Sequence, residues 1–153
     1  MSPRVGIGYD AHRFAAGRRL VLGGVEIPNE LGLEGHSDAD VLTHAVIDAL
    51  LGAAGLGDLG TLFPSEEEQW RDAHSLDLLT VTLGNLYGRI ANVDATVICE
   101  APRLAGYRPQ MERNLGETLS APVIVKATTN DRLGWIGRGE GIACFAVALL
   151  EVD

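Results

Sequence analysis

Apolar positions recur along the chain with two periods, and the changes of period divide it into elements. Val41, Leu42, Ala45, Val46, Ala49 and Leu50 repeat at helical spacing, while Asp40, His44 and Asp48 stand at i, i+4 and i+8 on another face. Ser37 has the character of an N-cap, and Asp40 can reach back to the first free amide. The spacing therefore predicts a helix from about Asp38 to about Ala54, stopped by Gly55. Ser37 and His44 fall on the same side, so one face packs and the other offers carboxylate, imidazole and hydroxyl.

Arg4-Val5-Gly6-Ile7-Gly8 alternates small and branched residues and predicts a short strand running into Tyr9-Asp10-Ala11-His12. In extended chain Asp10 and His12 share a face, so both can meet one ion. Arg19 to Pro28 reads as a hairpin turning at Gly23-Gly24, and Gly57 to Pro64 as a glycine-punctuated loop that lets Asp58 approach a ligand. Ser65 to Ala73 is acidic and predicts a solvated helical turn; with Gly60 to Pro64 it forms a candidate mobile flap. A second helix, capped by Ser75, carries Leu76, Leu79, Leu83, Leu86, Tyr87 and Ile90 at helical spacing. Val93 to Cys99 is the next strand, stopped by Pro102; a third helix runs from about Pro109 to Leu119; and Val123 to Thr129 is a strand ending in hydroxyls.

The loop from Asn130 to Gly141 holds four glycines and two arginines and suits a closely approached anion. Ile142 to Val152 closes the chain as a long apolar strand that must be covered on both faces. This order predicts an α+β fold, a single-domain α/β sandwich over 1–153 with a mixed sheet and helices on one face. The uncovered face would then need a second copy of the protein.

Charge and cysteines narrow the classes. A net charge of -9, with no basic run, argues against nucleic acid or an anionic membrane as partner. Eleven of the twelve cations are Arg, the exception being Lys126. Cys99 and Cys144 lie far apart in apolar runs and read as reduced core residues of a cytoplasmic protein. No apolar run approaches the length of a membrane span, and no signal segment precedes the first strand.

Each motif alone is commonplace, but their order is not. Asp10-x-His12, His36-Ser37-Asp38-x-Asp40-x-x-x-His44, Gly57-Asp58-x-Gly60-x-x-Phe63-Pro64, Lys126-Ala127-Thr128-Thr129 and Gly137-Arg138-Gly139-Glu140-Gly141 together resemble the 2-C-methyl-D-erythritol 2,4-cyclodiphosphate synthase family from Val5 to about Leu150. The resemblance implies a homotrimeric lyase of the non-mevalonate isoprenoid pathway, with active sites between subunits. Its substrate would be 4-diphosphocytidyl-2-C-methyl-D-erythritol 2-phosphate, cyclised with release of CMP. Asp10, His12 and His44 would hold one Zn2+ per subunit, with an open position for a phosphate oxygen.

A second divalent ion, Mg2+ or Mn2+, would bridge the diphosphate, and its family carboxylate aligns with Asp131, where relatives usually carry Glu. Thr129 would orient phosphates, and His36, with Ser37, would meet the phosphate end near the helix start; His36, Asp40 and Thr129 form the candidate catalytic set. Asp58 and Gly60 would bind the methylerythritol part beside Phe63. The resemblance places cytidine against Cys99, Arg103, Leu104, Ala105, Ala127 and Thr128 of the neighbouring subunit. Trp135 and Arg138 would stand near the trimer axis, where a hydrophobic cavity would take an isoprenoid diphosphate, and Arg138 would pair with Glu140 at the interface. The motifs alone leave two further readings open: a phosphohydrolase on the same metal site, and a zinc-dependent trimer that binds nucleotide or isoprenoid diphosphate without turnover.

Overall fold

Gly6 and Gly8 decide how the main helix meets the sheet. Both lie in strand β1 (Ser2–Ala16), on the side facing helix α1 (Val41–Ala54). A Cβ on Gly6 would come within 1.9 Å of the Ala49 carbonyl oxygen, and one on Gly8 within 1.9 Å of that of Ala45. The helix answers with alanines, so the two backbones touch along a seam with no intervening side chains. The next residues of the same strand face are Asp10 and His12.

The structure is a computed structural model describing residues 1–64 and 67–153. After β1 come the hairpin strands β2 (Leu20–Leu22) and β3 (Val25–Ile27), then β4 (Leu31–Leu33), α1, and a one-turn helix α2 (Leu59–Leu62). Helix α3 (Ser75–Leu83), β5 (Arg89–Ile98), α4 (Arg108–Leu119), β6 (Val123–Thr128), α5 (Gly134–Gly137) and β7 (Gly141–Val152) complete the order. The main sheet runs β4-β1-β7-β5-β6, with β5 and β6 parallel and the other pairs antiparallel. The predicted mixed sheet is present, with α1 and α4 packed on one face of it and α3 against both helices. Among the described residues no helix is long and apolar enough to cross a membrane.

The other face is open and apolar. Val5, Ile7 and Tyr9 of β1 stand opposite Leu149, Val147 and Phe145 of β7, and Val5 and Ile7 are 70% and 67% exposed. Period two thus sorts β7 into a buried apolar row and a second row in which Phe145 and Val147 are exposed. At the outer edge β6 is sealed by α4: the Val125 amide donates to Glu112 at 2.8 Å, and Arg108 donates to the Val125 carbonyl at 2.7 Å.

Four expected boundaries move, the first being that of the short opening strand, which extends to Ala16. Helix α1 starts at Val41, capped by Asp40 in extended backbone and not by Ser37. It ends as expected at a left-handed Gly55. The helix predicted to reach Ile90 stops at Leu83, because Ile90 already pairs with Leu150 in the sheet; its N-cap is His74, since the Ser75 hydroxyl is turned inward to Asp40. Within the segment expected to be a solvated turn and flap, Glu68–Trp70 forms a single 3-10 turn, while residues 65 and 66 lie outside the described residues.

Candidate active site

The seam between β1 and α1 leaves His44 directly over Asp10. His44 Nδ1 lies 3.2 Å from Asp10 Oδ2, and His12 Nε2 lies 3.0 Å from the same oxygen. The three ligand atoms all fall within 4.8 Å of one another, so Asp10, His12 and His44 form a group able to hold a metal ion. Two imidazole nitrogens and a carboxylate oxygen suit a borderline-soft divalent cation such as zinc.

The far side of each ring is also satisfied. His12 Nδ1 lies 2.7 Å from the Glu34 carbonyl oxygen, to which it must donate, leaving the Nε2 lone pair for a metal. His44 Nε2 meets Ser37 Oγ at 3.2 Å, so Ser37 serves His44 from behind. Such outer partners fix which nitrogen carries the proton.

The same geometry sets the titration of the metal-free pair. Burial works against the charge of Asp10, but hydrogen bonds from His12 and His44 outweigh it and hold the carboxyl below its ordinary 3.8. Burial likewise opposes the His12 imidazolium, yet the bond to Asp10 wins and its pKa rises above the ordinary 6.5. His12 then has an acceptor opposite each nitrogen.

Asp40, expected in the catalytic set, is placed at a structural junction and does not line the cavity over the ligands. Its backbone is the extended N-cap of α1, which removes it from the helical i, i+4 register with His44. The side chain is fully buried and accepts from the Gly23, Gly24 and Thr43 amides and from the Thr43 and Ser75 hydroxyls. One carboxylate thereby ties the hairpin turn, α1 and α3 together.

A cavity of about 200 Å³ opens over the metal group, lined by Asp10, His12, His36, Ser37, His44, Leu59, Phe63, Trp70 and Leu78. Asp58 is exposed and caps α2, accepting from the Thr61 amide at 2.8 Å; Gly60 is in the same turn. Asp48 accepts from the Leu59 amide at 2.7 Å, so the helix that carries His44 also holds the cavity wall. Trp70, which no motif or spacing singles out, stands edge-on to Phe63 with centroids 4.8 Å apart. It belongs to the segment 67–73, whose register comes from remote contacts: the Asp72 amide donates to the His36 carbonyl, and that of Asp38 to Ala73.

The remaining predicted residues lie elsewhere. Cys99, Arg103, Leu104 and Ala105 follow β5, and Ala127, Thr128, Thr129 and Asp131 end or follow β6, the Cys99 amide donating to the Thr128 carbonyl at 2.9 Å. Glu100, also unforeseen, accepts from the Asn130 and Arg132 amides and holds this loop. Asp131 is exposed, in left-handed backbone, and is not part of the metal group. Pairing puts Asp10, Cys144, Val97 and Ala127 in one row across the sheet, so three strand spacings, roughly 14 Å, separate Ala127 from Asp10.

Trp135 lines a second cavity, of about 680 Å³, together with His12, Phe14 and Glu140. Arg138 pairs with Glu140 within the one chain, at 2.5 Å. Neither cysteine offers a nucleophile: burial pushes the Cys99 thiol up to about 11 and raises that of Cys144 as well.

Known proteins resemble the whole of this arrangement. The YgbB family pattern matches residues 3–151. The 2-C-methyl-D-erythritol 2,4-cyclodiphosphate synthase of Symbiobacterium thermophilum is 54% identical over 152 residues, covering 95% of this chain and 97% of that protein. The bifunctional IspDF of Campylobacter jejuni superposes with a TM-score of 0.94 at 39% identity, over 99% of this chain and 43% of that one. The CDP complex of Plasmodium falciparum IspF gives 0.84 at 33% identity, over 99% of this chain and 98% of that one. With both the family pattern and a relative of more than half identity spanning nearly its full length, the chain belongs to the YgbB family, that of the 2-C-methyl-D-erythritol 2,4-cyclodiphosphate synthases.

Proposed function

We propose that the protein cyclises 4-diphosphocytidyl-2-C-methyl-D-erythritol 2-phosphate to 2-C-methyl-D-erythritol 2,4-cyclodiphosphate and CMP, using zinc held by Asp10, His12 and His44. The observation that carries this is the convergence of those three ligand atoms within 4.8 Å, in a chain so similar to named synthases along its length. In the reaction the 2-phosphate oxygen bonds to the β-phosphorus, and the bond from that phosphorus to the bridging oxygen breaks, the oxygen leaving with CMP. Bound zinc would supply positive charge and polarise a phosphate oxygen.

The chain's own part is positioning, because the nucleophile belongs to the substrate. Glu34 and Ser37 keep the outer nitrogens of the two histidines occupied, so their inner nitrogens face the cavity. His36 and Ser37 line that cavity beside the ligands and meet the phosphate end. Phe63, Trp70 and Leu78 make part of its lining apolar, and closure of that lining over bound substrate would disfavour attack by water. Asp58 and Gly60 stand by this wall for the methylerythritol hydroxyls.

The other half of the site comes from a neighbouring subunit in a trimer. The open apolar sheet face supports such an assembly, and so does the roughly 14 Å that separates the two groups of predicted residues within one chain. Cys99 to Ala105 and Ala127 to Thr128 would then receive the cytidine, and Thr129 the phosphates. Asp131 would face a second divalent ion, Mg2+ or Mn2+, carried by the diphosphate.

Phosphorus NMR of the protein with substrate, zinc and magnesium tests the reading. Cyclic diphosphate in equal amount to CMP is expected. CMP with a linear product would make the protein a hydrolase, and no turnover after metal reloading would make it a binding protein.

A further inference from the structure

Residues 33–37 touch both histidine ligands from behind. The Glu34 carbonyl accepts from His12 Nδ1 at 2.7 Å, and Ser37 Oγ lies 3.2 Å from His44 Nε2. Between them Gly35 packs so near the His12 ring that a Cβ would stand 3.2 Å from its Cε1. Beyond Leu33 the segment has no helix or strand; the Glu34 amide still donates to the Arg13 carbonyl and the His36 carbonyl accepts from the Asp72 amide, but neither bond joins the Leu33 end to Ser37.

Arg18 spans them. Its Nε donates to the Leu33 carbonyl at 3.0 Å and its Nη2 to the Ser37 carbonyl at 2.7 Å. The guanidinium is planar and rigid, so these donors sit at a fixed separation that a lysine cannot reproduce. Among the described residues Arg18 makes no ion pair, and both of its hydrogen bonds go to backbone carbonyls.

We propose that Arg18 is a positioning residue for the metal centre, setting the separation between the Glu34 carbonyl and the Ser37 hydroxyl and so the angle at which both imidazoles present their lone pairs. It touches neither metal nor substrate. The proposal rests on zinc being held by Asp10, His12 and His44. Partners behind metal ligands commonly matter about 10- to 100-fold in affinity.

The test compares the parent protein with Arg18→Lys, Arg18→Gln and, as a control, Arg19→Gln, whose side chain pairs with Glu26 at 3.9 Å. Zinc affinity is measured by competition with a chromophoric chelator, the visible spectrum of the cobalt-substituted protein reports ligand geometry, and thermal unfolding of the metal-free protein reports the fold. Both Arg18 variants are expected to bind zinc about tenfold more weakly, with altered cobalt bands and metal-free unfolding close to that of the parent. Should Arg18→Gln fail to fold, Arg18→Lys, which keeps the charge and the aliphatic stem, decides alone.

Parent-like zinc affinity and cobalt bands in Arg18→Lys would overturn the proposal. So would an equal loss in Arg19→Gln, or one explained by weaker metal-free stability. A parent protein that binds no zinc would refute the metal reading itself, and this proposal with it.

Discussion

At the β1–α1 junction each ligand atom already has its neighbours, whereas at the β5–β6 end the same chain leaves Ala127, Thr128, Thr129 and Asp131 in solvent. The first region is complete because a helix backbone lies against a strand backbone and each histidine is held from behind. The second has an anchored loop, through Glu100, but nothing facing it. The contrast teaches that the three candidate ligands converge within the single chain, while the β5–β6 group, proposed above to receive the nucleotide, is left open by it.

The largest break in that contrast is His44→Ala. It should abolish zinc binding and turnover while leaving α1 formed, because Ala suits a helix interior better than His; metal analysis and far-UV circular dichroism check the two halves of the statement. Zinc retained at full occupancy would remove His44 from the centre.

Gly8→Ala attacks the junction without touching a ligand. Its Cβ would sit 1.9 Å from the Ala45 carbonyl oxygen, so helix or strand must move, at a cost of about 1–3 kcal/mol. Urea unfolding measures that cost, and weaker zinc binding should accompany it. A variant with the parent's stability would show that the seam can yield.

Mixing subunits sharpens the other side. His44→Ala and Thr129→Ala chains are each expected to be inactive alone. Unfolded and refolded together in equal amounts, they should recover about a quarter of the parent activity, the share of sites that draw one intact half from each kind of neighbour in a cyclic trimer. No recovery would place both halves of the site in one subunit.

The smallest effect is a pH dependence confined to the metal-free junction. Asp10 titrates below its unfolded value, so its contribution is present above about pH 4 and is lost as pH falls further. His12 titrates above its unfolded value, so its contribution is full below about pH 6.5 and fades as pH rises through the raised pKa. Metal-free stability should therefore lose this increment on both sides of that window, and His12→Gln should flatten the upper flank. Zinc affinity runs the other way at the upper end, since the metal competes with the proton on His12.

Much of the fold was legible because periodicity reports packing. The hairpin at Gly23-Gly24, the stop at Gly55 and the apolar last strand follow from residue patterns alone. The Asp-x-His pair was legible for the same reason, since alternation in a strand puts both side chains on one face. Asp40 was misplaced because an N-cap and a first-turn residue look alike in sequence, while only the former lies outside the helical register. Glu34, Arg18 and Trp70 act through a backbone carbonyl, through donation to carbonyls, and through a loop fixed by distant contacts, none of which leaves a spacing to read.

The glycine seam bears on how such a centre tolerates change. Gly6 and Gly8 carry no donor, charge or ring, so an inventory of reactive groups passes over both, yet the position of His44 above Asp10 depends on the atoms they lack. Transplanting the two histidines and the aspartate onto another strand and helix would copy the chemistry and miss the spacing. The portable unit is the bare-backbone contact together with its ligands, and drift at the two silent positions would loosen the centre with every ligand still in place.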